Sequence, residues 1–440
     1  MTEDEEETRP SATRPRLGRR SLLGWSGATG AAGLAVGATG GFLAGRERTD
    51  SPTTGADEQG RLRPSEHNGS DHGLPMGLGD RVPAFGTVLA FDLSPAARRT
   101  AAKARAAAIA FLTEVSRLAD QAVAGSFPTG HDPADPRATG AAALDLRPAS
   151  LQITPGVGAA LLEACGLTDH RPEAFVDLPD FTTDRLDPRL TGGDLLVQVG
   201  AEDPLKMSGV VQAVMSYARA ELSDAVRLRW SRPGFRNTAV ASTNPATTSR
   251  NLMGHRDGTD NPKLGSPLWQ VTVQARSPAW MNGGSYLVAR QILIDLDSWF
   301  DHTESDRDDV IGRSTATGAA LGRRREHQAV NLSARTKAGK LAIPADAHIR
   351  LASPQNTGGA RIYRRSWNFD DGYQAGARRA GLMFLAWQAD PRLGFLPIQR
   401  ELTQKHDALN RFTTHVGSAV FAVPARGGDA YVGQRLLEAS

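Results

Sequence analysis

The sequence predicts an α+β fold in two halves of similar element order, preceded by a leader and a linker. Strand-like runs, either apolar or alternating, recur along both halves. Stretches with apolar residues at helical spacing separate some of these strands. At 440 residues the chain is long enough to bury two core-forming units after the leader.

The charge balance argues against a nucleic-acid partner. Lys+Arg number 51 and Asp+Glu 48, so the formal net charge is +3. No basic stripe interleaved with aromatic residues is present, and nucleic-acid binding is not expected. The single cysteine, Cys165, lies in an apolar run. It predicts a small buried side chain, and it cannot by itself form a disulfide framework or a thiolate metal cluster.

Residues 1–45 have the composition of a targeting segment. Arg19 and Arg20 precede an uncharged, Gly/Ala-rich stretch from Ser21 to Gly45. Paired arginines before a mildly hydrophobic stretch are typical of twin-arginine leaders, which are read by the export machinery for folded proteins. A retained transmembrane anchor is the alternative, although the glycine content disfavours it. We predict export to an extracellular, cell-surface or periplasmic location, and cleavage of the leader stays open.

The first half is predicted to span residues 83–245, after a linker at 46–82. The linker is polar and rich in Gly, Pro and Ser, so it cannot bury enough apolar surface to order itself. The predicted strands are 87–93, 149–154, 194–199 and 226–230, and the predicted helices run from 94 to about 122 and from about 204 to 221. Strand, helix, strand, strand, helix, strand is the ferredoxin-like order.

The second half, residues 246–440, repeats that order loosely. Its predicted elements are a strand at 284–294, a short helix containing Trp299 and Phe300, a strand at 381–387, a helix from 395 to about 412 and an edge strand at 418–423. No residue-level repeat supports the duplication. We therefore predict two ferredoxin-like domains with four-stranded antiparallel sheets and peripheral helices. Sheets that face each other would leave an apolar pocket suited to a flat cofactor.

The stretch Gly254 to Pro262 contains an acidic residue, Asp257, between an arginine and Gly258-Thr259. Asp-Gly followed by Asn-Pro is strong turn chemistry in any protein, so a purely structural turn is the alternative for this segment. A carboxyl group in a turn is also suited to moving protons at a site.

His348 lies in a strand-like segment with no His, Cys or Glu at metal-ligand spacing nearby, which argues against zinc. One histidine is sufficient to hold haem iron, because the macrocycle supplies the other four nitrogens. A core histidine is the alternative.

The pair Arg364-Arg365 follows an alternating run that begins at Arg361. Alternation along a strand would direct one guanidinium into a pocket and the other away from it. A solvated surface pair is the alternative.

Three motifs together resemble the dye-decolorizing peroxidase family: Gly254-x-x-Asp257-Gly258-Thr259 with Asn261-Pro262, His348-Ile349-Arg350-Leu351-Ala352, and Arg364-Arg365-Ser366-Trp367. The similarity extends over about residues 83 to 435. The twin-arginine leader matches the exported branch that includes deferrochelatase-like members. Two features depart from the family pattern, namely His255-Arg256 before the aspartate and Ser366 where other branches have Asn.

The resemblance implies a fold of two ferredoxin-like domains and one haem b per subunit, held in the C-terminal half. His348 would then be the proximal iron ligand. A ligating imidazole usually donates its other N–H to a carboxylate. Asp407 is the candidate for that carboxylate by family position, and Asp390 is the alternative.

The same resemblance implies the roles of the distal residues. Asp257 would be the acid/base and Arg364 the distal cation. Arg313 would contact a haem propionate, and Gly258 and Thr259 would also contact the cofactor.

The predicted function is a haem peroxidase that reduces hydrogen peroxide and oxidises bulky aromatic or dye-like reductants. An exported haem-handling protein that releases iron from haem is the alternative, and a non-enzymatic binding module is a third hypothesis. Because a carboxyl group ordinarily titrates near ~4, we expect an acidic activity optimum. The aromatic residues that could relay electrons to the haem are Trp367, Tyr363, Trp387 and Tyr373. The sequence leaves homo-oligomerisation open.

Overall fold

A computed structural model of the chain describes residues 74–124, 151–237, 248–262, 271–273 and 278–439. The predicted leader at 1–45 and most of the predicted linker lie outside the described residues. In the part of the chain that the structure describes, no helix is both long enough and apolar enough to cross a membrane.

The described residues form nine strands and eight α-helices. The strands are Phe85–Leu93 (β1), Gln152–Gly158 (β2), Leu195–Ala201 (β3), Val226–Phe235 (β4), Ser285–Ile294 (β5), Tyr363–Arg364 (β6), Trp367–Gln374 (β7), Ala377–Gln388 (β8) and Thr413–Val423 (β9). The helices are Ala101–Val123 (α1), Ala159–Ala164 (α2), Pro204–Glu221 (α3), Leu296–Phe300 (α4), Glu304–Ile311 (α5), His348–Leu351 (α6), Phe395–Gln404 (α7) and Gln434–Leu437 (α8).

The two long helices of the first half form where their periodicity predicts them. Helix α1 begins after Thr100, whose side chain accepts a hydrogen bond from the Lys103 amide. Helix α3 begins after Asp203, whose carboxylate caps two amides, with Pro204 in the first turn. Their apolar faces cover the first-half strands in a core that also buries Cys165, as predicted.

The sheet topology differs from the two separate sheets that we predicted. The first-half strands lie in the order β2-β3-β1-β4, and the second-half strands in the order β9-β5-β8-β7. The two groups pair with each other at both edges, through Val157↔Ala422 and Phe235↔Asn368. Eight strands therefore close into one barrel-like sheet, with β6 alongside β8. Closure satisfies backbone groups that two open sheets would leave unpaired at their edges.

Several second-half elements also differ from expectation. Strand β9 is no edge strand, because it lies between β5 and β2. His348 begins the short helix α6 and does not lie in a strand. Helix α7 ends at Gln404, and a separate 3₁₀ helix follows at Ala408–Arg411. Helix α5, which the sequence analysis missed, is stabilised at its start by a capping box between Thr303 and Asp306.

The interior of the closed sheet contains side chains from both halves. Val88, Leu196 and Trp230 of the first half pack in one cluster with Leu287 and Trp387 of the second. The halves therefore share a core, and this shared core fixes the positions of the strands from which the site residues project.

Candidate active site

Asp257 lies at the end of a short hairpin. Its amide donates to the Ser249 carbonyl at 3.0 Å, and the Asn251 amide donates to the His255 carbonyl at 2.9 Å. Gly254 takes a φ of 85° at the tip, a conformation that glycine adopts without a Cβ penalty. The predicted turn is therefore present, and it presents the carboxyl group.

Arg364 contacts that carboxyl group although it lies 107 residues further along the chain. Its Nη1 donates to Asp257 Oδ1 at 3.0 Å, and the two side chains are 27% and 21% exposed. The Asn261 side chain donates through Nδ2 to the Arg364 carbonyl at 2.7 Å and accepts from the Arg364 amide at 3.1 Å. One amide side chain thus fixes the backbone of Arg364 next to the hairpin loop.

Alternation directs Arg365 away from this pair, as predicted, but not into solvent. The Arg365 side chain is only 1% exposed. It donates to the carbonyls of Leu78 and Asp80, to Tyr363 Oη and to Gln152 Oε1. The alternative of a solvated surface pair is wrong, and Arg365 connects the residues just before β1 to the strand that carries Arg364.

A cavity adjoins the Asp257–Arg364 pair. Its lining is mostly polar and comes from the end of β4, the hairpin and strands β6 to β8: Arg236, Ser249, Arg250, Asn251, Asp257, Arg364, Ser366, Asn368 and Leu382. Apart from Asp257, Arg364 and Ser366, these residues were missed by the sequence analysis. No local signal marks Arg236, Asn368 and Leu382, because only the closed sheet brings them to the hairpin.

The segment after the hairpin meets the loop after α5. Gly258 has a φ of 105°, and Thr259 Oγ1 donates to Glu326 Oε1 at 3.1 Å. The Arg313 guanidinium donates to the carbonyls of Gly318 and Glu326 at 2.9 and 3.2 Å. Glu326 was not a predicted site residue, yet it joins two of the predicted ones.

Arg313 is buried and, in the described ranges, forms no ion pair with a carboxylate. Burial lowers the pKa of the Arg313 guanidinium, Asp260 acts in the opposite direction and the positive charge of Arg364 adds to the effect of burial. An anionic group placed there would compensate a cation that the protein leaves only partly compensated.

The His348 imidazole is held in place by a hydrogen bond to Asp407. The two side chains are joined by a 2.7 Å hydrogen bond between His348 Nδ1 and Asp407 Oδ2, and the Asp407 side chain is 2% exposed. Asp407 Oδ1 accepts from the Leu409 amide at 3.0 Å, which fixes the carboxylate. Asp390, the alternative, pairs instead with Arg392.

The arrangement around His348 fits a haem. With Nδ1 bound to Asp407, Nε2 is left without a hydrogen bond among the described residues. No cluster of three or more His, Cys, Asp or Glu side chains in the described ranges could hold a metal ion, so an iron that needs one protein ligand fits better. A Cβ added to Gly312 would press on Ile349 at 2.7 Å, so the residues beside Arg313 and His348 are in contact.

The comparisons with known proteins agree along most of the chain. Residues 82–236 match the family model described as Dyp-type peroxidase, N-terminal, and residues 248–427 match Dyp-type peroxidase, C-terminal. The chain is 43% identical over 439 residues to a dye-decolorizing peroxidase of Thermobifida fusca (strain YX), with 98% of this chain and 100% of that protein covered. It is 33% identical over 340 residues to a deferrochelatase of Yersinia pestis, with 74% of this chain and 76% of that protein covered.

Solved structures resemble the fold closely. A DyP-type peroxidase from Streptomyces coelicolor superposes with a TM-score of 0.74 at 38% identity, covering 84% of this chain and 98% of that one. Ferric DtpA from Streptomyces lividans gives the same TM-score of 0.74, identity of 38% and coverages of 84% and 98%.

Proposed function

The chain belongs to the Dyp-type peroxidase family and is a haem-dependent peroxidase that uses hydrogen peroxide, and we propose that His348, Asp257 and Arg364 carry its chemistry. Its fold is the DyP-type fold. The observation that carries the proposal is the direct Asp257–Arg364 contact at 3.0 Å beside a cavity.

His348 would hold the haem iron through Nε2. When bound, the haem supplies the iron at which hydrogen peroxide is reduced and at which the reductant later returns the electrons. The 2.7 Å contact between Nδ1 and Asp407 supports this role, because a carboxylate behind an imidazole orients the ring and raises its basicity.

Asp257 would move the proton. Its Oδ1 accepts from Arg364, whereas no hydrogen bond in the described part of the chain reaches Oδ2. Oδ2 would therefore accept a proton from hydrogen peroxide and return it to the departing oxygen, which leaves as water.

Arg364 would stabilise the negative charge that develops on oxygen as the O–O bond breaks. A guanidinium fixed in position beforehand acts without reorganisation during the reaction. The backbone of Arg364 is fixed in this way by the two hydrogen bonds with Asn261.

Arg313, Gly258 and Thr259 would line the rim of the haem site. The buried and only partly compensated guanidinium of Arg313 suits a propionate. The positive φ of Gly258 lets the backbone turn there without a side chain, and Thr259 is held by Glu326.

The test of the acid/base role is Asp257→Ala. We expect kcat/KM for hydrogen peroxide to fall by roughly 10²–10⁴, because general acid–base catalysis contributes about that factor. The Soret band should persist, because Asp257 is no iron ligand in this proposal. The matched control is Asp260→Ala, which removes a nearby carboxyl group and should keep turnover. A variant lacking Asp257 that turned over normally would refute the assignment.

A second candidate function is the release of iron from haem, supported by the 33% identity to a deferrochelatase over 74% of this chain. The same Asp257→Ala variant separates the two functions. If iron release survives while peroxide turnover collapses, residues other than Asp257 carry the iron release. That result would support both activities for this chain.

We also propose export, internal duplication and homo-oligomer formation for this chain. Export by the twin-arginine machinery is supported by the arginine pair at Arg19 and Arg20. Duplication of a ferredoxin-like unit is supported by the two groups of four neighbouring strands. The boundaries of those units at 83–245 and 246–440 and the formation of a homo-oligomer are open to direct test by limited proteolysis and light scattering.

Bulky aromatic reductants would deliver electrons through side chains. Trp367, Trp387 and Tyr363 are buried in the shared core, whereas Tyr373 on β7 is 68% exposed. Of the four predicted relays, only Tyr373 is accessible to a large donor, and we propose it as the surface residue of such a route.

A further inference from the structure

The cavity beside Asp257 and Arg364 is lined by a further guanidinium, that of Arg236. This residue follows β4, and its amide donates to the Ala84 carbonyl at 2.7 Å, so the first half of the chain fixes its backbone. Its side chain lines the same cavity as Asp257 and Arg364. A residue from the half of the chain without the predicted haem ligand thus reaches the peroxide site.

The three arginines of the cavity have different partners. Arg250 donates to the carbonyls of Gly254, Thr315 and Ala316 at 2.6, 2.5 and 3.2 Å, so its donors attach the hairpin to a neighbouring loop. Arg364 pairs with Asp257.

Arg236 differs from both, because most of its guanidinium N–H groups have no hydrogen-bond partner among the described residues. In the described part of the chain it makes one side-chain hydrogen bond, from Nη2 to Ser249 Oγ at 2.8 Å, and no ion pair. Among the residues that the structure describes, its charge is therefore not balanced by a carboxylate in direct contact, and its remaining N–H groups are available to an anion in the cavity.

Ser249 connects Arg236 to the base. Its Oγ accepts from Arg236, and its carbonyl accepts from the Asp257 amide at 3.0 Å. Burial lowers the pKa of Arg236, and the Asp257 carboxylate is the first of the charges that act on it and raises it. Arg365 and Arg81 lower that pKa and Tyr363 raises it, so in the described part of the chain Asp257 is the only carboxylate whose charge acts on Arg236.

Resting on the proposed role of Asp257, we propose that Arg236 is a second distal cation, whose charge acts together with that of Arg364 on the Asp257 carboxylate and on the hydroperoxide anion that forms when this carboxylate accepts a proton. The transfer moves one proton from hydrogen peroxide to Asp257 Oδ2. The carboxylate charge is neutralised, and the negative charge appears on the hydroperoxide, between two guanidinium groups. No electron moves in this step.

The test is the pH profile of kcat/KM for hydrogen peroxide in Arg236→Gln holoenzyme. A carboxylate with one cation fewer beside it takes up a proton more readily, so the acidic limb should move to higher pH by on the order of one unit. KM for peroxide should rise roughly tenfold, because an anion loses one of its two cationic partners. The infrared band of the protonated carboxyl group, assigned by its loss in Asp257→Asn, should appear at correspondingly higher pH.

Matched variants separate the charge of Arg236 from its hydrogen bond. Arg236→Lys keeps the charge, and its acidic limb should stay near that of the wild type. Ser249→Ala removes only the hydrogen-bond acceptor and should also leave the limb in place. Arg227, exposed on β4, supplies the control Arg227→Gln, with unchanged turnover. Circular dichroism checks that each variant is folded.

Two outcomes would overturn the inference. One is an acidic limb and infrared band in Arg236→Gln that match the wild type. The other is an Arg236→Lys variant that behaves like Arg236→Gln, because geometry and not charge would then matter. Asp257→Asn, measured in parallel, distinguishes a wider failure. If that variant keeps turnover, the proposed base itself is wrong. If it loses turnover while Arg236→Gln behaves like the wild type, only the role of Arg236 is wrong.

Discussion

His348 and Asp407 show how a residue acquires a role from its neighbour. A lone histidine in the sequence is compatible with a core side chain, and nothing in its local pattern separates the two interpretations. In the fold, Asp407 Oδ2 accepts a hydrogen bond from His348 Nδ1, which leaves Nε2 for the proposed bond to iron. The carboxylate is itself fixed by the Leu409 amide. The pair is therefore built to hold the imidazole in one orientation.

At the residue scale we predict that Asp407→Asn weakens the haem site without unfolding it. Asparagine can still accept from the Leu409 amide, but it removes the negative charge behind the imidazole. Haem affinity or kcat/KM for peroxide should fall about 10–100-fold, the usual effect of losing such a partner. The reduction potential of the haem should rise, because a less basic imidazole stabilises ferric iron less. Spectroelectrochemistry measures this directly.

Asp390→Asn is the matched control for that variant. Asp390 pairs with Arg392 and not with His348, so the reduction potential of the haem should equal that of the wild type. An Asp407→Asn enzyme with the affinity, activity and potential of the wild type would remove Asp407 from the site.

At the scale of elements, the hairpin at 249–257 and strand β6 are brought together by one side chain. Asn261 both donates to and accepts from the backbone of Arg364. These two bonds replace the ladder that a regular neighbouring strand would supply. The distance between Asp257 and Arg364 therefore depends on an amide group that does not itself take part in the chemistry.

We predict that Asn261→Leu lowers both activity and stability. Leucine has a similar size but leaves the Arg364 amide and carbonyl without partners, at about 1–3 kcal/mol for each unsatisfied group. Turnover of peroxide should fall at least about tenfold as Arg364 loses its position. Steady-state kinetics and urea unfolding measure the two effects. Asn356→Ala, which removes an exposed hydrogen bond to the Arg350 carbonyl, should change neither.

A second junction between elements involves His415 on β9. Arg290 on β5 donates to His415 Nδ1 at 2.8 Å and pairs with Asp184, which lies in the segment between α2 and β3. His415 Nδ1 also lies 3.8 Å from Asp184, but it accepts from Arg290 and so does not form a charged pair. Burial, reinforced by Arg290, lowers the pKa of His415 to about 3.

This junction predicts a loss of stability in acid. Between pH 6.5 and about 3 the unfolded chain binds a proton at this position and the folded chain does not. The free energy of unfolding should therefore decrease as the pH falls through this range, by about 5 kcal/mol once both values are passed. Urea unfolding at a series of pH values measures the slope.

In His415→Gln the free energy of unfolding should depend less steeply on pH across that range, by the contribution of one bound proton. His302→Gln, which changes an exposed histidine, should keep the wild-type slope. Identical slopes for His415→Gln and the wild type would show that His415 does not stay neutral in the folded protein.

At the scale of the whole molecule, the two halves share a closed sheet and one interior. Gly86 on β1 shows the closeness of this packing, because a Cβ there would overlap the ring of Trp367 on β7. Trp367 Nε1 donates in turn to the Pro83 carbonyl at 3.0 Å, back in the first half. If one half unfolded, the apolar side chains of the other half would lose their packing partners in this interior.

We therefore predict a single cooperative unfolding transition for both halves, measured by calorimetry on the haem-loaded protein. Gly86→Ala should lower the stability of that one transition by about 1–3 kcal/mol, because the core must shift to admit a methyl group. Gly428→Ala, where nothing lies within 4 Å of the added carbon, should be neutral. Two separate transitions, with only one shifted by Gly86→Ala, would contradict the shared core.

The sequence by itself determined the order of helices and strands in the first half and the kinds of side chain expected at the site. Helical spacing with capping residues predicts α1 and α3, and the turn around Asp257 forms as its Gly and Asn residues indicate. These features depend on neighbours within a few positions, which a pattern records directly.

Only the tertiary structure decided how the sheets close and what surrounds the reactive side chains. It replaced two expected sheets by one closed sheet, and it buried Arg365, which pattern alone allows on the surface. It also brought Arg236 into the cavity beside Arg364, and it brought Glu326 into contact with Thr259, although neither pair is close in sequence. The physical reason is that such contacts join residues up to hundreds of positions apart, and a local pattern of apolar and polar residues does not record which distant partners will meet.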